Sequence, residues 1–105
     1  MRRIRKKPPI HPGLILKYDY MEPLSLSVTK LAEYLDVSRI TVSKIVNERT
    51  PVTPDMAMRL SKVFNSTPGL WMNLQKEYDI WHAEHDSKEW QKARPIEMPD
   101  AVVPA

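Results

Sequence analysis

The sequence contains no cysteine and only two glycines, Gly13 and Gly69, among its 105 residues. The first absence excludes disulfide frameworks, thiolate zinc sites and cysteine nucleophiles. Two isolated glycines cannot form a glycine-rich loop that cradles a phosphate. No apolar run approaches the ~20 residues that a membrane-spanning helix needs. The basic N-terminus is not followed by an apolar segment, so no secretory signal is expected, and a cytoplasmic location is the expectation. No nucleophile, base and orienting group stand at a supporting spacing, so neither an enzyme nor a cofactor is expected. His82 and His85 lie three residues apart, yet no third or fourth ligand follows at a recognisable spacing, and no metal site is expected.

What is present is one small domain's worth of chain with 42 % hydrophobic residues, enough for a modest core. The net charge of +3 is unevenly distributed: residues 1–62 carry +6 and residues 63–105 carry −3. The first part attracts a polyanion and the second does not. Nucleic acid is therefore the leading partner class, with an anionic membrane surface second.

Ten prolines punctuate the chain, and none falls between Pro23 and Pro51. Apolar residues recur at helical spacing, and strand alternation is weak. The pattern predicts five helices, over residues 13–21 (Leu14, Ile15, Tyr18, Met21), 28–35, 39–47, 54–64 and 68–84 (Leu70, Trp71, Leu74, Tyr78, Trp81). Ser27 and Ser38 are expected caps. Thr53-Pro54 and Thr67-Pro68 each place a hydroxyl cap before a proline that costs nothing at the first helical position. The fold class is all-α, divided as a basic flexible arm (1–9), a domain (10–85) and a tail (86–105), partly disordered or ordered by a partner, whose prolines argue against a long helix.

Residues 31–46 read as two short helices joined by a tight turn at Asp36-Val37. Ala32 is small where crossing helices approach closely, and Asp36 is among the few non-glycine residues that tolerate a left-handed conformation. With Val42, Ile45 and Val46 turned inward, Ser38, Arg39, Ile40, Ser43, Lys44 and Asn47 face outward, with Thr41 at the margin. This face suits a DNA major groove: arginine pairs with guanine, serine bonds a base or phosphate, and isoleucine meets a thymine methyl. Lys44, Asn47 and Arg49 read as backbone contacts.

Four stretches carry a family resemblance: His11-Pro12-Gly13; Leu31-Ala32 through Val37-Ser38-Arg39 to Thr41-Val42-Ser43; Val52-Thr53-Pro54-Asp55-Met56-Ala57-Met58-Arg59-Leu60; and Ser66-Thr67-Pro68-Gly69-Leu70-Trp71-Met72-Asn73-Leu74-Gln75 with Tyr78-Asp79. Together they resemble the lambda-repressor-like (XRE) helix-turn-helix family and, more narrowly, the HigA/VapI antitoxins. The resemblance implies a five-helix lambda-repressor-like DNA-binding domain and a homodimer on double-stranded operator DNA. It also implies repression of the protein's own operon and neutralisation of a small HigB-type toxin, a ribosome-dependent mRNA endonuclease. Recognition-helix roles carry over to Ser38, Arg39, Thr41, Ser43 and Lys44. Three positions depart from the pattern: Asp36 replaces the usual turn glycine, Gly69 replaces an acidic residue, and Asn47-Glu48-Arg49 replaces an Asn-Gly-Lys type turn, where Glu48 disfavours a phosphate.

The arm, with five basic residues in its first seven, either enters a minor groove, tracks phosphates, contacts RNA or is simply solvated. The stripe Trp71, Leu74, Tyr78, Trp81 reads first as core. The last helix is nonetheless longer than such a globule needs, and Tyr78, Trp81 and His82 are the expected dimer interface, because a palindromic site requires a two-fold protein. Within the tail, residues 96–103 mix apolar residues with proline and acid, and either are disordered or meet a basic toxin. Two other functions remain open: a free-standing XRE-type repressor without a toxin, and a protein-interaction module that does not read DNA.

Overall fold

The computed structural model describes residues 8–99. The expectations for the arm's basic residues and for the last residues of the tail lie outside that range. Among the described residues five α-helices follow in order: α1 (Pro12–Ile15), α2 (Val28–Leu35), α3 (Arg39–Val46), α4 (Pro54–Phe64) and α5 (Pro68–Asp86). A π-helical turn, Leu16–Met21, extends α1, and a 3₁₀ turn, Glu89–Lys92, follows α5.

Each start is fixed by its cap. The hydroxyls of Ser27, Ser38, Thr53 and Thr67 accept the amides of Lys30, Thr41, Met56 and Leu70 at 3.0, 3.1, 3.2 and 3.3 Å. His11 caps α1 by the same logic, its Nδ1 accepting the Gly13 amide at 2.9 Å ahead of Pro12. The stops use left-handed residues, Asp36 after α2 (φ 58°) and Asn65 after α4 (φ 53°).

The first helix departs from its expected phase. Beyond Ile15 the hydrogen bonds widen to i→i+5, as in Glu22 N–H to the Lys17 carbonyl at 3.0 Å. The extra residue per turn carries Leu16 and Met21, five apart, into the core and leaves Tyr18 51 % exposed. Tyr20 points inward in its place, its ring 4.8 Å from Phe64 and 5.2 Å from Trp71. In α5, Trp71 is fully buried and Leu70 is 38 % exposed. The larger side chains of the core include Leu16, Met21, Leu31, Leu35, Val42, Ile45, Val52, Met56, Leu60 and Trp71, drawn from every α-helix or its flank. Each such large side chain contributes about 1.5–3 kcal/mol of burial.

Candidate nucleic-acid interface

The helix pair α2–α3 is held from three sides. Ala32 is buried where α2 meets its neighbours, and Val37 seats the turn on the core. Arg59 of α4 reaches under the turn: its Nη1 donates to the carbonyls of Leu35 (2.8 Å) and Asp36 (3.1 Å), while its Nε donates to Asp55 at 2.8 Å. A cation at the C-terminus of α2 satisfies carbonyls that have no partner within the helix and complements the helix dipole. On the far side, α1 packs on α3 through Gly13, where a Cβ would overlap the Ile45 carbonyl.

With α3 so fixed, its outer face is presented to solvent. Arg39, Ile40, Ser43, Lys44, Asn47 and Arg49 line a single open groove of about 590 Å³. Val28, the first residue of α2, completes the lining. Its apolar character and helical spacing mark it in the sequence only as a core residue; in the structure it packs on the core and also borders the groove. Asn47 folds back onto α3, its Nδ2 donating to the Ser43 carbonyl at 2.8 Å. Ser38 and Thr41 stand outside the groove lining, at the start of α3, with their hydroxyls 2.8 Å apart.

Behind the groove, the α3–α4 loop is tied to α5 by a buried glutamine. Gln75 Oε1 accepts the Val52 amide at 2.8 Å, and its Nε2 donates to Asp79 at 2.9 Å. Its spacing of four from Trp71 was the available signal, hidden by its polarity. His11 is buried beside the same loop, its ring 4.8 Å edge-on from Tyr78. Burial lowers its pKa below the ordinary 6.5; Glu48, a Thr50 backbone hydrogen bond and Asp79 oppose this, and His82 reinforces it.

Tyr78, Trp81 and His82 lie together on the later turns of α5, half-buried and far along the chain from the groove residues. Tyr78 and His82 rings are 4.3 Å apart, and Trp81 stacks on His85 at 3.9 Å. Among the described residues no three of His, Asp and Glu converge as metal ligands, and no helix is long and apolar enough to cross a membrane.

The helix-turn-helix family profile matches residues 18–71, which span all of α2, α3 and α4. An HTH-type transcriptional regulator of Haemophilus influenzae is 46 % identical over 80 residues, covering 76 % of this chain and 75 % of the relative. Virulence-associated protein I of Dichelobacter nodosus is 41 % identical over 81 residues, covering 77 % of this chain and 75 % of the relative. The solved structure of the Pseudomonas aeruginosa antitoxin HigA with the higBA promoter superposes with a TM-score of 0.75 at 36 % identity, covering 85 % of this chain and 99 % of that one. The chain therefore belongs to the XRE-type helix-turn-helix family of DNA-binding regulators, within which it is related to the HigA antitoxins and to virulence-associated protein I.

Proposed function

We propose that this chain is a HigA-type antitoxin that binds operator DNA as a homodimer, represses its own operon and neutralises a small basic HigB-type toxin. The observation that carries the DNA half is the groove on α3, where three cations, Arg39, Lys44 and Arg49, surround Ile40, Ser43 and Asn47. Arg39 reads a guanine edge and Ser43 a base or phosphate. Lys44, Asn47 and Arg49 hold the DNA backbone, and Ser38 and Thr41 meet it at the start of α3. The similarity to the HigA structure solved with promoter DNA supports DNA binding by this fold.

Two copies meet through Tyr78, Trp81 and His82. Their rings form one half-buried cluster on the later turns of α5, Tyr78 4.3 Å and Trp81 5.1 Å from His82, which supports placing this end of α5 against a second copy. The toxin is assigned to the stretch after α5, where Trp90, Ile96 and Met98 are exposed, with Glu97 between the last two. Removing residues 90–105 abolishes toxin capture on this reading; full capture by the shortened chain contradicts it.

The test expresses the neighbouring reading frame alone and with this chain. Growth arrest alone, rescue together and a co-purifying complex establish the antitoxin. A harmless neighbour, or arrest without rescue, contradicts the antitoxin reading and favours a free-standing repressor.

A further inference from the structure

Ile40 is the second residue of α3 and is 63 % exposed, in a groove that Arg39, Lys44 and Arg49 also line. Nothing in the fold calls for an aliphatic side chain there. It adds no burial to the core, and a β-branched residue is a poorer helix former than the straight-chain residues that normally fill exposed positions. Val28 lines the same groove, supplied by the other helix of the pair and held in place because it packs on the core.

Two branched aliphatic side chains, one from each helix, thus make an apolar spot in a cationic groove. A phosphate gains nothing from such a spot. A polar base edge set against it would lose its hydrogen bonds to water without replacement. The major groove of DNA displays one apolar group, the methyl on C5 of thymine, and a C5-methylated cytosine places a methyl at the same position. The cations draw the polyanion in, and the aliphatic pair then meets the one feature of the DNA groove that matches it.

We propose that Val28 and Ile40 together form a methyl-reading site that selects a C5-methylated pyrimidine in the bound duplex. This rests on the DNA-reading function above and deepens it. Ile40 supplies the exposed wall and Val28 the fixed one, so specificity at this base pair depends on both helices of the pair.

The test begins with selection of a preferred duplex from a random pool by the full chain. Each thymine is then replaced singly by uracil, which removes the methyl and leaves base pairing unchanged. At one thymine or more, binding is expected to weaken about fourfold, the factor that corresponds to one buried methylene. At that position a cytosine duplex is expected to gain about the same factor when its cytosine is C5-methylated. Ile40→Ala, at an exposed position, is expected to melt as the parent does and to bind thymine and uracil duplexes equally. Val28→Thr, which keeps the shape and replaces one methyl by a hydroxyl, reduces the same discrimination. Uracil substitutions that are all neutral, or thymine preference that survives in Ile40→Ala, overturn the proposal. A pool that yields no preferred duplex removes the DNA-reading function itself, a failure visible before any uracil comparison is made.

Discussion

Gly13 of α1 lies directly against the Ile45 carbonyl of α3, so closely that no side chain fits between them. The opening His11-Pro12-Gly13 therefore sets where the recognition-helix candidate sits, although it lies more than twenty residues upstream of it in the chain. His11 caps the turn and Pro12 starts it, and Gly13 allows the close approach.

Gly13→Ala must push α1 away from α3. A loss of about 1–3 kcal/mol is expected, in the range of overpacked cores. Gly69 is the internal contrast. It sits in the first turn of α5, where a Cβ meets open space apart from Thr67 Oγ1 at 3.9 Å, and Gly69→Ala gains up to about 1 kcal/mol. Urea unfolding of the two variants checks both signs; equal effects contradict the packing account.

Arg59 links α4 to the end of α2 by two carbonyl bonds and a carboxylate bond. Arg59→Ala leaves the Leu35 and Asp36 carbonyls without that donor and is expected to lose about 1–3 kcal/mol. Arg59→Lys recovers only part of this, because a single ammonium cannot reproduce the planar fork. Thermal melts of both variants decide it, and full recovery by lysine contradicts the geometry.

Glu48 holds φ at 60°, a left-handed value that costs a side-chain-bearing residue about 1–2 kcal/mol. Glu48→Gly relieves that strain and removes a carboxylate beside Arg49. The variant is expected to be more stable by up to about 1 kcal/mol and to bind DNA more tightly at low salt. Stability that falls, or DNA binding that weakens, is the contrary result.

Of the left-handed positions, Asp36 was legible in the sequence, as a residue that tolerates that conformation where the resemblance expects a glycine; those at Ser25, Glu48 and Asn65 were not. The caps at Ser27, Ser38, Thr53 and Thr67 were readable because a hydroxyl ahead of a helical run has one main use. Five of the groove residues, Arg39, Ile40, Ser43, Lys44 and Asn47, were readable from the 3.6-residue period. The π turn at Leu16–Met21 was not, because its spacing of five has no counterpart in an α-helical pattern. Long-range polar ties, such as Gln75 to Val52 and Arg59 to Leu35, were invisible because nothing local marks a partner twenty-three or more residues away.

His11 gives the fold a pH dependence. Its folded pKa lies below the unfolded value of 6.5 because burial disfavours the charged ring. The unfolded chain therefore binds the proton first as pH falls. Stability from this residue is full above pH 6.5 and is lost as the pH drops below it through the lowered folded value. Unfolding titrations across this window are expected to show the decline in the parent and a flatter profile in His11→Asn. Equal slopes contradict the assignment.

The central claim is that the outer face of α3 reads DNA, and the most direct measurement is binding of the chain to its own promoter across a range of salt concentrations. Arg39→Ala is expected to lose about 1–3 kcal/mol on that site and to relax its specificity. Lys44→Ala is expected to weaken binding to all sequences alike and to reduce the salt slope by about one. Promoter binding that both variants leave unchanged contradicts the claim.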